Sequence, residues 1–218
     1  MVDSLLAFDP QVILFAYTAF TPKVLLPLEA RWTGGPRPFY LTASGIFPSI
    51  AQFAGRDPSR RRRFFAVTNL STTMANAQLV LRYNVAFPHE PIVRSEAPQP
   101  SYDAFYLLAY AVYALGDGVV SGPALSRAIG RLLPPGRKFD VGPAQIFDAF
   151  QTLRTSGQID LNGAIGSLDF DPATGDALID YSIVCLGLDD NGAASASIDS
   201  GLVYDARTKK LLGAMSCP

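Results

Sequence analysis

Any catalytic or metal chemistry in this chain must pass through very few side chains. His89, in Phe87-Pro-His-Glu-Pro91, is the only histidine. A serine–histidine–acid triad or a histidine-bound zinc would have to use that one imidazole. No Gly-x-Ser-x-Gly turn presents a serine, and the two cysteines, Cys185 and Cys217, lack close metal-ligand spacing. Asp169, Asp171 and Asp176 cluster around Asp171-Pro-Ala-Thr-Gly-Asp176, but without the Glu and Gly positions of a calcium loop, so they read as a turn. A Walker A loop is absent, and Gly163–Gly166 lacks the strand–helix context of a dinucleotide fingerprint. Arg60-Arg-Arg-Arg63, with Arg56 nearby, is a basic cluster. With no aromatic stacking platform beside it and a net charge of −1, it reads as a solvated loop rather than a nucleic-acid site. The expectation is therefore a protein that is not an enzyme, with no catalytic residue, metal or cofactor.

What the residues must be mounted on follows from hydrophobic pattern. The 218 residues are 49% apolar and 17% charged, ample for a buried core. No apolar run reaches the roughly 18–20 residues of a spanning helix, and the N-terminus Met1-Val2-Asp3-Ser4 shows no signal peptide. Gln11–Ala16, Phe39–Thr42 and Phe64–Val67 read as short buried strands. Between them lie helical patterns: Pro22–Trp32, made irregular by Pro27, and Ile46–Ala54. A further helix is expected over Thr73–Phe87. Strands alternating with helices imply crossovers and a largely parallel sheet, whose ligands lie beyond the carboxyl ends of the strands. The loops that matter are then 17–21, 43–47 and 68–72.

Residues 88–100, with four prolines, read as a connector. Helices follow over Tyr102–Leu115, with Ser101 as N-cap, then Pro123–Leu133 and Pro143–Leu153. Tyr102, Tyr106, Tyr110 and Tyr113, spaced 4, 4 and 3, share one helical stripe. Packing of the helix accounts for most of that stripe, while Tyr102, at the N-terminus, can reach a ligand together with Ser101. After Gly157 the pattern turns to β: strands at Ile165–Phe170 and Ala177–Leu186, and a closing hairpin around Tyr204–Leu212. Two cysteines permit one disulfide or two buried thiols. If Cys185 and Cys217 lie on neighbouring strands, a bond between them closes a loop of about 30 residues, worth roughly 3–4 kcal/mol.

Four stretches, taken in order and spacing, resemble the type 1 periplasmic solute-binding proteins, the group that includes branched-chain amino-acid receptors of ABC transporters. They are Asp9–Ala16 followed by Leu28–Trp32; Pro38-Phe-Tyr-Leu-Thr-Ala-Ser-Gly45; Ser101-Tyr-Asp-Ala104 opening a helix; and Gly163-Ala-Ile-Gly-Ser-Leu-Asp-Phe-Asp-Pro-Ala-Thr-Gly-Asp176. The resemblance covers roughly residues 9–186 and begins near the second lobe of that family, so only its C-terminal half is represented.

The resemblance implies an α/β fold: a Rossmann-like type I lobe, its mostly parallel sheet flanked by helices, with a C-terminal β-hairpin extension. It assigns 1–87 to a second-lobe segment, 88–100 to a hinge connector, 101–186 to helices and late strands returning between lobes, and 187–218 to the β extension. It implies reversible capture of a small polar solute, amino-acid-like or related, outside the cytoplasm, feeding an ABC transporter permease or a sensor. The partners it implies are a missing N-terminal lobe or a second chain. Tyr17, Thr18, Phe20 and Ser44, with Ser101 and Tyr102, become the expected ligand contacts. Ser44 stands where the family commonly has an acid facing an amino group. Likeness to exported receptors also favours the Cys185–Cys217 disulfide. The competing reading is a truncated lobe that serves as an interaction or structural module.

Overall fold

The computed structural model describes residues 1–16, 19–43, 48–69, 71–94 and 97–218. The chain begins with helix α1 (Val2–Phe8), strand β1 (Val12–Phe15), a π-helical turn (Thr21–Leu25) and α2 (Leu26–Arg31). β2 (Phe39–Thr42), α3 (Pro48–Ala54), α4 (Pro58–Arg62), β3 (Phe64–Asn69) and α5 (Met74–Ala86) follow. Next come α6 (Gln99–Leu115), α7 (Gly122–Ile129), β4 (Lys138–Asp140), α8 (Ile146–Ser156) and β5 (Asp160–Asn162). The chain closes with β6 (Tyr181–Leu188), β7 (Ala194–Asp205) and β8 (Lys210–Gly213). It divides into two compact units: Met1–Asn69 with Tyr181–Asp205 and Lys209–Pro218, and Leu70–Asp180 with Ala206–Thr208. Among the described residues no helix is long and apolar enough to cross a membrane.

In the first unit a six-stranded sheet runs β1-β2-β3-β6-β7-β8. The β1–β2 and β2–β3 pairs are parallel, with Val12 opposite Phe39 and Tyr40 opposite Phe64. The strands added from β6 onward are antiparallel. Alternation decides which side packs. Ile13 and Phe15, Tyr40, and Phe64 point to one face, where they meet Leu25, Leu28, Trp32, Ile50 and Phe53. The opposite side of β1 and β2 leaves Val12, Leu14 and Phe39 exposed. Pro27 lies within the helical stretch after β1, which is π-helical over its first turn, so the irregularity that proline implies is present.

The arginine run corrects the sequence reading. It is not a solvated loop. Asp57 caps α4 by accepting from the Ser59 and Arg60 amides at 2.9 and 3.3 Å, and Pro58 occupies the first position. One turn of helix then sends the guanidiniums of Arg60, Arg61 and Arg63 in different directions, while Arg62 is exposed. Arg61 is buried and donates to the Leu186 and Pro218 carbonyls. Arg60 lies 5.2 Å over the Phe53 ring. Arg63 turns to Glu29 of α2 at 2.8 Å. Glu29 is itself buried and also accepts from Tyr40 (2.6 Å) and Arg37 (2.7 Å). Burial pushes its carboxyl up, but the hydrogen bonds from Arg63 and Tyr40 and the nearby guanidinium charges outweigh that, leaving it below the ordinary glutamate range. Sequence reasoning placed the run on the surface because the acid it serves lies more than thirty residues away.

Cys185 of β6 and Cys217 are joined by a disulfide, with Cα atoms 5.9 Å apart and a sequence separation of 32. The bond ties the chain end to the sheet. Replacing Cys217 with serine is expected to lower unfolding free energy by about 2–4 kcal/mol through loop entropy, read by denaturant titration. An unchanged midpoint under non-reducing conditions would show that the link carries no stability.

The second unit packs around Leu79, Tyr110, Ala111, Leu132, Phe139, Leu153, Ile159 and Leu161. Arg131 donates to carbonyls at two helix ends: Ala114 in α6, and Leu153 and Gly157 at the end of α8, where Leu153 also accepts from the Gly157 amide. β4 and β5 form a parallel pair, Lys138 opposite Asp160. Both are three residues long and fall below the length at which pattern reading finds strands. The strand expected at Ile165–Phe170 is absent. That stretch makes only single bridges, Asn162–Ser167 and Phe170–Ala177. The Asp171–Asp176 turn is present, with Gly175 at φ 78° and Asp171 accepting from the Ala173 amide at 2.8 Å. The strand expected from Ala177 starts four residues later, at Tyr181.

Candidate functional site

Parallel strands gather loops at their carboxyl ends, and each unit has such a rim. In the first unit it follows Phe15, Thr42 and Asn69. Three of the residues expected there, Tyr17, Thr18 and Ser44, lie outside the described residues. Phe20 is half-buried, its ring stacked on Phe15 at 5.0 Å, and Phe15 in turn meets Phe64 edge-on at 5.8 Å. Much of its apolar surface is therefore spent on the core. Tyr181, which the sequence reading missed, opens β6 opposite Asn69 and is 42% exposed. Its signal was weak: an isolated tyrosine at the start of a strand that pairs antiparallel.

The second unit holds the remaining expected contacts. α6 starts at Gln99, and its first turn closes with the Tyr102 amide donating to the Pro98 carbonyl at 3.1 Å. Ser101 is therefore not the N-cap. Pro100 fits the early helical positions, and Gln99 is fixed by donating to the Arg94 carbonyl at 2.7 Å, so the helix begins upstream. Ser101 is exposed on that first turn. Tyr102 heads a ladder of rings: Tyr102–Tyr106 at 5.0 Å, Tyr106–Tyr110 at 6.5 Å, and Tyr113 stacked on Phe150 at 3.8 Å. Tyr110 is buried, so the lower part of the stripe is core. Burial first, then a hydrogen bond with the Tyr102 hydroxyl, pushes Tyr106 up to about 12.

Asp103, next to Tyr102, is buried and accepts from the Ala164 and Ile165 amides at 2.7 and 2.8 Å. Burial raises its carboxyl, and the two amides pull it back only in part. Thr73 caps α5 at the Asn76 amide (3.1 Å) and donates to the Gly163 and Ala164 carbonyls at 3.1 and 3.3 Å. The N-terminal turns of α5 and α6 thus converge on the loop that leaves β5. Asn162 donates to Asp140 at 2.7 Å across the ends of β4 and β5. Beyond β4, Gly142 adopts φ 123°, and a side chain built on it would lie 3.1 Å from both the Arg82 Nη1 and the Tyr102 hydroxyl. Among the described residues no group of His, Cys, Asp and Glu is arranged to hold a metal ion. Donors, an aromatic edge and one guanidinium are suited to holding a small molecule. They supply no nucleophile with an adjacent base.

Comparison with known proteins places the architecture. No family model matches the sequence, and no curated protein matches it. Solved structures do. One is a leucine-binding protein, LivK, of Thermotoga maritima, at TM-score 0.52 and 17% identity over 90% of this chain and 47% of that one. Another is a solute-binding protein of an ABC transporter from Rhodopseudomonas palustris, in complex with 3,4-dihydroxybenzoic acid. It shows TM-score 0.48 and 12% identity over 100% of this chain and 49% of that one. The fold is type 1 periplasmic-binding-protein-like, α/β with parallel strands flanked by helices. The chain spans about half the length of the solved proteins it matches.

Proposed function

We propose that this chain is a non-catalytic solute-binding domain that captures a small polar solute. The supporting observation is the likeness in fold to the Thermotoga leucine-binding protein over 90% of the chain. Fold alone does not select a ligand, so the site must. The proposed contacts are Tyr17, Thr18 and Ser44, by their positions after β1 and β2, the half-exposed ring of Phe20, and Ser101 and Tyr102 on α6. An amino-acid-like or related solute fits polar contacts beside aromatic edges. On this reading the protein works outside the cytoplasm, supplies a transporter permease or a sensor, and functions with a complementary half on further polypeptide or on a second chain.

A thermal-shift panel of amino acids, amides and small carboxylates tests the proposal. At least one compound is expected to raise the melting temperature in a concentration-dependent way, by the linkage of binding to folding. No shift across the panel counts against it. The second reading, a protein-interaction or structural module, draws on the outer side of β1 and β2, where Val12 and Leu14 are 57% and 67% exposed. A module of that kind would show no shift with any solute.

A further inference from the structure

We infer that the second unit carries an anion subsite, formed by Arg82 of α5 and Tyr102 of α6 over the bare backbone of Gly142, which takes the carboxylate of the captured solute. The inference rests on the solute-binding reading and names the chemical class of the ligand. Three elements meet at this spot. The Arg82 Nη1 and the Tyr102 hydroxyl each approach to 3.1 Å of the one point where a Gly142 side chain would begin, so the two donors are brought together by the absence of a Cβ. Gly142 also holds φ 123°, a conformation that other residues rarely adopt, so the bare backbone against which the two donors rest is built into the fold. It follows directly on β4, at the strand end where parallel sheets receive ligands.

The charge balance at this point favours an anion. Arg82 is exposed and forms no ion pair among the described residues. Its field extends to Tyr106, whose hydroxyl is linked to that of Tyr102. A guanidinium beside a phenol can give a carboxylate a charge-assisted and a neutral hydrogen bond together. The two acids that stand next to Tyr102 and near Gly142 in sequence are hydrogen-bonded to other groups. Asp140 accepts from Asn162 at 2.7 Å and Asp103 from the Ala164 and Ile165 amides. Tyr102 was recognisable in the sequence as a helix-start aromatic. Arg82 was not, because nothing in α5 marks it apart from any other exposed helical arginine.

Saturation-transfer NMR with two matched pairs, isobutyrate against isobutyramide and benzoate against benzamide, tests the subsite on the intact chain. The carboxylates are expected to bind about tenfold more tightly than the amides, the scale of one charge-assisted hydrogen bond. Arg82→Gln should remove that preference, Arg82→Lys should restore part of it, and Tyr102→Phe should reduce it. Equal binding of carboxylates and amides by the wild type overturns the inference, as does a preference that survives Arg82→Gln or no binding of either pair. The solute-binding reading is judged separately by the thermal-shift panel. A neutral compound that stabilises wild type and Arg82→Gln alike would leave that reading standing while the anion subsite fell.

Discussion

Glu29→Ala should cost about 3–5 kcal/mol of unfolding free energy, the scale set by breaking a buried ion pair from one side. The substitution strands several groups at once. Arg63, whose side chain is 11% exposed, loses its carboxylate, Arg37 loses a 2.7 Å partner, and the Tyr40 hydroxyl loses the acceptor at 2.6 Å. Glu29→Gln keeps an acceptor and nearly the same volume, so it should cost less. Denaturant titration of both variants separates charge from packing. A loss below about 1 kcal/mol for the alanine variant would place the cluster with ordinary surface pairs.

The same cluster fixes a pH dependence. Glu29 is depressed in the folded state, so its stabilisation is fully present above the ordinary glutamate pKa of the unfolded chain. It is lost as pH falls through the lower folded-state value. Wild-type stability should therefore drop more steeply in acid than that of Glu29→Gln, which lacks this titration.

Gly163→Ala is the second large effect, expected at about 3–6 kcal/mol. The new methyl would lie 2.5 Å from the Asp103 Oδ2 and 2.9 Å from Leu168 Cδ2. Overpacking alone costs about 1–3 kcal/mol. Here the group that must yield is a buried carboxylate. Moving it breaks the bonds to the Ala164 and Ile165 amides, and hydrogen bonds to charged groups contribute about 1.5–3 kcal/mol. Because the N-terminal turns of α5 and α6 both bond to the loop at Gly163–Ile165, the damage should spread to amide exchange in both helices. A stable variant with unchanged exchange there would mean that the loop has room the geometry denies.

What the sequence disclosed and what it hid follow from the range of the interactions. β1, β2 and β3 were legible because each is a short run of branched and aromatic residues, and α5 because Thr73 caps an uninterrupted helical pattern. β4 and β5 were not, since Lys138–Asp140 and Asp160–Asn162 take their partners from each other, 22 positions apart in sequence. Arg60–Arg63 was misread for the same reason, its acid lying on another helix. At the candidate site Tyr102 was visible from its place at a helix start. Its neighbours Arg82 and Gly142 come from two other elements, and only the fold brings them together. Phe20, chosen by its loop, turned out to share its ring with Phe15, because an aromatic after a strand is as useful to the core as to a ligand.

Reversible, non-catalytic capture of a small polar solute is tested most directly by equilibrium dialysis with chemical analysis of the recovered solute. The compound that best stabilises the intact protein in the thermal-shift panel should bind saturably, with one site per chain, and come back chemically unchanged. Conversion of the compound, or uptake that never saturates, would contradict the account.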